Sequence, residues 1–175
     1  MPTIGVALAI PEPWGRQLQD YRVSMGDDSA VGIPSHITLV PPVETTSEDL
    51  AGIRTHLAEV AEAVTGFRVR LRGTGTFRPI SPVVFVMVAE GISACEQLAS
   101  RIRQGPLDLD LQFPYHPHVT VAHHLTDDAL DRAFSGLADF ECVFWAEAFH
   151  LYEHDDGLGW RPTTEFSLAS SLDHH

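Results

Sequence analysis

The sequence contains no lysine, because all 11 of its basic residues are arginines. A Walker-type nucleotide triphosphatase, which needs the lysine of its P-loop, is therefore excluded. There is also no lysine amine to form a Schiff base or to carry a covalently bound nucleotide. The same absence excludes a ligase that works through an adenylated lysine.

Positive charge is scarce beside 24 acidic residues, and the formal net charge is −13. A surface of that sign repels nucleic-acid backbones at long range. We therefore expect no long nucleic acid duplex as a partner, whereas a small nucleotide or an RNA end that is gripped locally fits. The proportions of hydrophobic (44%) and charged (20%) residues are those of a globular protein.

Cysteines and long apolar runs are few. Cys95 and Cys142 are far apart and form no CxxC pair, so we expect two unpaired thiols in a reducing compartment. No apolar run approaches the length of a membrane span, and the N-terminal segment lacks the basic region of a signal peptide. We expect a soluble cytoplasmic protein that does not bind membranes, and the sequence leaves its oligomeric state open.

Strand and helix patterns alternate along the chain and predict an α+β fold. The predicted strands span residues 3–10, 36–40, 67–72, 82–89, 118–122, 141–152 and 163–168. The predicted helices span about 13–25, 48–64, 93–103 and 126–137. Pro41 and Pro42 are predicted to end the second strand, and Ser93 with Glu96 predicts a capping box. The other N-cap candidates are residues 45–47 and Thr126.

The order strand, helix, His-containing strand, helix, strand occurs twice. Pro2 and Pro82 are 80 residues apart, and His36 and His118 are 82 apart. We therefore predict one bilobal domain of two duplicated lobes with mostly antiparallel sheets flanked by helices. The alternative is a chance resemblance between two α+β halves. The predicted ranges are about 1–80 for lobe 1 and 81–170 for lobe 2, followed by a tail at 171–175.

The two His-containing strands carry the same motif, His-x-Thr-x-apolar, as HITLV at 36–40 and HVTVA at 118–122. Successive side chains of a strand point to opposite faces, so the histidine and threonine of each motif share a face. Two such strands beside a central cleft would surround one small anion. The candidate catalytic residues are His36, Thr38, His118 and Thr120.

This set of side chains suits phosphodiester chemistry. Histidine gives or takes a proton near neutral pH, and splitting a P–O bond needs one group to activate the nucleophile and another to protonate the leaving oxygen. Threonine hydroxyls can donate hydrogen bonds to the non-bridging oxygens. One His-x-Thr is most often structural, but two at equivalent points of a repeat indicate an acid–base pair.

The chain resembles the 2H phosphoesterase superfamily, and within it the branch of 2′-5′ RNA ligases and 2′,3′-cyclic phosphodiesterases. The resemblance rests on HITLVPP at 36–42 and YHPHVTVAHHL at 115–125, with support from GTFRPISPVVFVMV at 75–88 and LYEHDDGLGWRPTTEFSL at 151–168. It implies two lobes around a cleft and the hydrolysis or formation of nucleotide phosphodiesters with neither metal nor cofactor.

By that resemblance the two histidines and two threonines are catalytic, with the histidine of the first motif, His36, protonating the leaving oxygen and His118 activating water. The sequence alone does not order those two roles. RNA-processing members often carry basic surface around the cleft, whereas this chain is acidic. That departure favours a small cyclic nucleotide or a nucleotide-derived metabolite over a long RNA.

Three further residues are predicted to bind substrate. Tyr115, just before the second motif, could stack on a base, although core packing explains an aromatic residue there equally well. Arg78 beside Phe77 could grip a phosphate or stack on a base. Salt bridges in an acid-rich protein are an equal or better explanation for the arginine.

Two other interpretations stay open. His116 and His118 share a strand face, so a third ligand could complete a zinc site in a metal-dependent hydrolase. No HExxH or carboxylate pattern accompanies them, and no metal is predicted. The protein could instead be a non-catalytic module that binds nucleotides through the same pocket. His174 and His175 are either native or the remainder of a purification tag and are left out.

Overall fold

The computed structural model describes residues 1–170, so the predicted tail at 171–175, with His174 and His175, lies outside the described residues. The described part contains eight strands and four α-helices. The strands are β1 (Thr3–Ala9), β2 (His36–Glu44), β3 (Phe67–Thr76), β4 (Val83–Glu90), β5 (His118–His123), β6 (Glu141–Ala146), β7 (Ala148–Asp155) and β8 (Gly159–Ser167). The α-helices are α1 (Trp14–Ser24), α2 (Ser47–Ala63), α3 (Ile92–Ile102) and α4 (Asp127–Gly136). Two 3₁₀ turns, Asp28–Gly32 and Gly105–Leu107, complete the fold.

The strands form two antiparallel four-stranded sheets. The first sheet has the order β2-β1-β7-β8, and the second has the order β5-β4-β3-β6. The two His-containing strands, β2 and β5, are each at the edge of a sheet and contact one another. The predicted α+β fold with two antiparallel sheets and motif strands at a central cleft is confirmed.

The division of the strands between the two sheets does not follow the predicted lobe boundary near residue 80, and the lobe ranges themselves stay a prediction. β3 precedes that boundary but belongs to the second sheet, while β7 and β8 belong to the first. The predicted single strand at 141–152 is in fact two strands, β6 and β7, because the chain passes from one sheet to the other at Glu147. Apolar residues lie on both sides of Glu147, so the sequence does not reveal the change of sheet.

Pro41 and Pro42 do not end the second strand, since β2 continues to Glu44. The pairing with β1 shifts there, from Val6 opposite Val40 to Ile4 opposite Val43, which leaves an extra residue on β2. Proline has no backbone N–H to donate to a neighbouring strand. It is tolerated at this bulge on an edge strand, because that donor is not needed there for pairing.

Glycines account for two other differences from the predicted elements. β3 continues past the predicted end at residue 72, because a bulge at Gly73 (φ 75°) shifts its pairing with β4 and interrupts the alternation. The predicted capping box of α3 is absent: Gly91 (φ 100°) is the N-cap, and Ser93 lies inside the helix. An added Cβ at Gly91 would come within 2.8 Å of the Arg68 carbonyl oxygen, so the tight turn requires glycine.

The buried apolar residues form one core cluster that draws on both sheets and all four helices. Cys95 and Cys142 are buried within it as free thiols. In residues 1–170, no helix is both long enough and apolar enough to cross a membrane.

Threonine side chains cap two helices as predicted. Thr46 Oγ1 accepts a hydrogen bond from the Asp49 amide at the start of α2 (3.0 Å), and Thr126 does the same for the Ala129 amide at the start of α4 (3.2 Å). Each cap satisfies an amide that has no partner within its own helix.

We expect Thr46→Ala to lower the free energy of unfolding by about 1 kcal/mol, because the substitution removes the cap of α2. Urea denaturation measures the change. Ser47→Ala is the matched control, since Ser47 is exposed in the first turn of α2 beside the cap. Equal losses of stability in the two variants would show that the Thr46 side chain contributes nothing specific.

Candidate active site

The motif of β2 presents its polar side chains on one face and its apolar side chains on the other. His36 and Thr38 are partly exposed, whereas Ile37 and Leu39 are fully buried. The strand β5 shows the same alternation for His118, Val119, Thr120 and Val121. Burial of the apolar residues therefore fixes the direction of the histidine and the threonine in each motif.

A hydrogen bond joins the two motif strands. The Tyr115 hydroxyl, in the segment before β5, donates to the Thr38 carbonyl oxygen of β2 at 2.7 Å. Burial raises the pKa of Tyr115, so the phenol stays a donor. The ring packs against the hydrophobic core, and the Arg103 guanidinium lies 5.7 Å from its centre. The structure thus places Tyr115 where it links the lobes, and base stacking by this residue stays a prediction.

Both motif histidines are oriented by the backbone two residues earlier. His36 Nδ1 lies 2.6 Å from the Pro34 carbonyl oxygen, and His118 Nδ1 lies 2.6 Å from the His116 carbonyl oxygen. A carbonyl only accepts, so in each ring Nδ1 carries the proton and donates it. In the neutral rings Nε2 is consequently the free acceptor, which is the state a general base needs.

The environment of the cleft keeps both histidines uncharged. Burial lowers the pKa of His36, with a further lowering by Arg22, against an opposing hydrogen bond to the Pro34 carbonyl. The pKa of His118 is likewise lowered, to about 4, chiefly by burial and also by the charges of His116 and His36, against an opposing hydrogen bond to the His116 carbonyl. The effect of His36 on the pKa of His118 indicates that the two imidazoles are near enough to interact. Near pH 7 the unliganded cleft therefore holds two neutral imidazoles.

Phe77, one of the predicted substrate-binding residues, contacts the second motif directly. Its ring meets the His118 ring edge to face, with 4.9 Å between centres, and the Phe85 ring at 4.5 Å. His118 also lies 5.2 Å from Phe85. These two phenylalanines supply much of the apolar surroundings that disfavour a charge on His118.

Arg78 is held by acidic residues of α4. Its Nη1 lies 2.9 Å from Asp131 Oδ1 and 3.9 Å from Asp127 Oδ1, and its Nε donates to Thr76 Oγ1. This is the salt-bridge explanation that the sequence also allowed. The guanidinium is partly neutralised there, and its contact with substrate stays a prediction.

A buried arginine near the first motif was not identified from the sequence. Arg22 on α1 is 8% exposed, and its Nε donates to Asp27 Oδ2 at 2.8 Å. The charge of Arg22 lowers the pKa of both His36 and His123, so it lies near one end of the cleft. The sequence shows only that Arg22 lies in a predicted helix. That does not distinguish a buried arginine from one on the surface.

Tyr152 and Trp160 were missed as well. They line a pocket beside His36 and Thr38 on the first sheet. Tyr152 follows the alternation of β7, but its place next to the motif depends on β7 pairing with β1, which is distant in sequence. Sequence alternation assigns a face to a residue without saying which strand lies beside it.

The second motif bears on the interpretation that His116 and His118 belong to a metal site. The His116 and His118 rings lie 5.9 Å apart. Across residues 1–170, no group of three or more His, Cys, Asp or Glu side chains is arranged to hold a metal ion. A zinc site needs at least three protein ligands, so the described residues do not supply the third ligand that the metal interpretation requires.

Comparison with known proteins gives one consistent family. The profile of the 2′-5′ RNA ligase superfamily matches residues 10–158. A Bacillus licheniformis protein described as a predicted phosphoesterase is 30% identical over 163 residues, covering 89% of this chain and 94% of that one. A Bacillus pumilus protein with the same description is 32% identical over 162 residues, covering 88% and 92%.

Solved structures share the fold at lower identity. Escherichia coli LigT in complex with 3′-AMP superposes with a TM-score of 0.71 at 19% identity, covering 97% of this chain and 99% of that one. LigT in complex with NADP+ gives a TM-score of 0.72 at 18% identity, covering 96% and 98%. TT0787 of Thermus thermophilus gives 0.68 at 21% identity, covering 98% and 100%.

We expect the protein to lose stability as the pH falls from about 6.5, the ordinary pKa of histidine, towards about 4. In that range His118 is protonated in the unfolded chain but neutral in the folded chain. Acid therefore favours the unfolded state. Urea denaturation between pH 7 and pH 5 measures the loss, which should be smaller in His118→Gln. His56→Gln, on α2, is the control for the loss of a histidine side chain outside the cleft. An unchanged pH dependence in His118→Gln would contradict the assignment.

Proposed function

Since this chain belongs to the 2′-5′ RNA ligase superfamily of phosphoesterases, we propose that it hydrolyses a cyclic or 2′-5′ nucleotide phosphodiester by metal-independent acid–base catalysis. The observation that carries the proposal is the pair of imidazoles on facing edge strands, each with Nδ1 hydrogen-bonded to a backbone carbonyl. Both rings thereby keep Nε2 for proton transfer at the same small site.

In the proposed reaction a water oxygen bonds to phosphorus while the bond from phosphorus to the sugar oxygen breaks. Neutral His118 takes the proton from the water through Nε2, and protonated His36 gives a proton to the departing sugar oxygen. The resemblance to 2H phosphoesterases supplies this order of roles. The hydroxyls of Thr38 and Thr120 share the faces of their histidines and donate to the non-bridging oxygens.

Binding of the anionic substrate favours protonation of His36, and the proton comes from the solvent. In the free protein both pKa values are lowered, so neither ring is charged near pH 7. An anionic phosphate bound between the rings favours the charged form of one of them, because an opposite charge nearby raises a histidine pKa. Binding of the anion and uptake of a proton are therefore coupled in this mechanism.

The proposed substrate is small. A formal net charge of −13 disfavours a long polyanion, and the LigT complexes named above contain 3′-AMP and NADP+. We assign this protein a nucleoside 2′,3′-cyclic phosphate, a 2′-5′ diester at an RNA end or a related nucleotide metabolite. Joining a 5′-hydroxyl to a cyclic phosphate is the corresponding ligation, in which the hydroxyl replaces water as the nucleophile, and it would use the same four side chains.

We expect His36→Ala and His118→Ala each to lower kcat by a factor of about 10² to 10⁴, because each removes one member of the acid–base pair. Thr38→Val and Thr120→Val should each cost about 10² through the loss of a donor to the phosphoryl oxygens. The assay follows opening of nucleoside 2′,3′-cyclic phosphates in EDTA, with product separation to identify the bond that opens.

His56→Gln is the control for these variants, since His56 Nε2 donates to the Ile102 carbonyl oxygen at the end of α3 and is no part of the proposed site. Near-wild-type turnover in His118→Ala would refute the mechanism. Loss of activity in EDTA would favour the metal-dependent hydrolase. Tight nucleotide binding without turnover of any cyclic phosphate or 2′-5′ diester would favour the non-catalytic module.

We also expect the protein to take up close to one proton when sulfate binds at pH 7. Sulfate resembles the phosphoryl group but does not titrate near pH 7, so any proton taken up must go to the protein. Titration calorimetry in two buffers of different ionisation enthalpy measures the uptake. The double variant with both His36→Gln and His118→Gln should bind sulfate without it. Uptake that persists in the double variant would place the proton elsewhere.

A further inference from the structure

The first motif has small neighbours on the face that its histidine and threonine share. In the first sheet Ala9 of β1 pairs with His36, and Ala7 pairs with Thr38. Side chains that are directly opposite in an antiparallel pair stand side by side on one face of the sheet. Each polar side chain of this motif therefore has a single methyl group beside it on β1, and an open pocket adjoins both of them.

The second motif has large neighbours in the equivalent positions. Met87 of β4 pairs with His118, and Phe85 pairs with Thr120. The two halves of the molecule thus differ where their order of elements is most alike, because two alanines lie beside one motif and a methionine and a phenylalanine lie beside the other. The two histidines consequently have unequal room for the groups on which they act.

The Phe85 ring occupies the surface of the second sheet next to His118. It extends sideways over Gly75 of β3, where an added Cβ would come within 2.7 Å of two ring atoms. Phe77, just after β3, packs on the same ring with 4.5 Å between centres and meets the His118 ring at 4.9 Å. Phe85 is only 4% exposed as a result. The space beside His118 on this sheet is therefore filled by aromatic carbon.

His116 closes the same group of rings towards the solvent. Its ring lies 5.5 Å from Phe77, 5.4 Å from Phe85 and 5.9 Å from His118. Its backbone carbonyl accepts the proton of His118 Nδ1, which leaves Nε2 as the reactive nitrogen. We call Phe77, Phe85, Met87 and His116 the His118 wall. A group bound at His118 Nε2 must fit between this wall and the phosphate.

In the proposed reaction the two sides of the phosphate take different partners. The sugar oxygen leaves next to His36, and the nucleophile lies next to His118. Water and the 5′-hydroxyl of a second nucleoside compete for that place. In either case the oxygen bonds to phosphorus and its proton passes to His118 Nε2, while the bond to the sugar oxygen breaks as His36 gives that oxygen a proton. Only the second nucleoside brings a sugar and a base to the His118 side.

We propose that the His118 wall restricts the nucleophile to water and other very small hydroxyl compounds, so that this protein hydrolyses its phosphodiester and does not ligate. This inference rests on the proposed function, including the role of His118 as the base. It makes Phe77, Phe85 and Met87 determinants of the nucleophile, whereas the alanines of β1 leave room for the nucleoside that carries the departing oxygen. A group that is too large for a packed site is disfavoured about tenfold to a hundredfold.

The test lets acceptors of different size compete with water for one substrate. Cytidine 2′,3′-cyclic phosphate is incubated in EDTA with methanol or with uridine at equal acceptor concentration, and the hydrolysis and transfer products are separated by chromatography. Wild type should form the methyl diester and should transfer to uridine at least about tenfold less often than to methanol. The ratio of products cancels a general loss of activity, because the competing nucleophiles react with the same enzyme–substrate complex.

Phe77→Ala and Met87→Ala each remove part of the wall. In both variants the transfer to uridine relative to methanol should rise about tenfold. Met87 is 41% exposed, so Met87→Ala decides if circular dichroism shows that Phe77→Ala does not fold. Phe134→Ala is the control and should keep the wild-type ratio, because Phe134 is 39% exposed on α4 and is no part of the His118 wall.

The outcomes separate this inference from the proposed function. If wild type opens the cyclic phosphate neither with water nor with methanol, the proposed function fails and this inference fails with it. If wild type is active but transfers to uridine as readily as to methanol, the wall is refuted while the phosphoesterase stands. The wall is also refuted if the folded variants keep the wild-type ratio, or if Phe134→Ala raises the ratio equally. A rise confined to the wall variants supports it.

Discussion

The hydrogen bond from the Tyr115 hydroxyl to the Thr38 carbonyl fixes the relation between the two motif strands. Both strands are edge strands, and an edge exposes backbone groups that would otherwise pair with a foreign chain. By lying against each other, β2 and β5 cover part of those edges and bring the two polar faces together. The proximity of the histidines is thus a product of how the sheets meet, and the chemistry of the cleft follows from it.

The choice of hydrogen-bond partner for the histidines also matters. Each Nδ1 donates to a neutral backbone carbonyl rather than to a carboxylate. A carboxylate in that place would favour the imidazolium and raise the pKa, whereas a carbonyl orients the ring with a much smaller effect on its charge. In a protein with so many acidic residues, this arrangement keeps both rings neutral until an anion arrives. The same local geometry at His36 and His118 gives two similar rings, and only the different walls around them distinguish their roles.

The sequence predicts well what depends on neighbouring residues. The alternation in each motif places His36 and Thr38 on one face with Ile37 and Leu39 behind them, and the structure agrees. It predicts poorly what depends on pairing between distant strands or on the backbone of single glycines. The bulge at Gly73 hides the rest of β3, for example, because it shifts the alternation by one residue.

The same limit explains the missed pocket. Tyr152 and Trp160 belong to strands far along the chain from β1 and β2, so no local pattern joins them to the first motif. Arg78 and Phe77 are adjacent in sequence, yet one pairs with α4 and the other packs on His118. Adjacent residues of a chain can face different surroundings, and only the tertiary structure shows which of them meets the cleft.

The exchange of strands between the two halves makes the molecule indivisible. A fragment that ended near residue 80 would hold β1 and β2 without β7 and β8, and would carry β3 with none of its partners. The chain passes between the sheets twice, once between α2 and β3 and once at Glu147. The two crossings lie close together through the C-terminal segment, since the Leu168 amide donates to the Glu147 carbonyl and the Gly66 amide to the Ala169 carbonyl. Although the halves look like copies in the order of their elements, neither holds a complete sheet in this connectivity. We therefore expect loss of one sheet to disrupt the other, so that the protein unfolds as one unit.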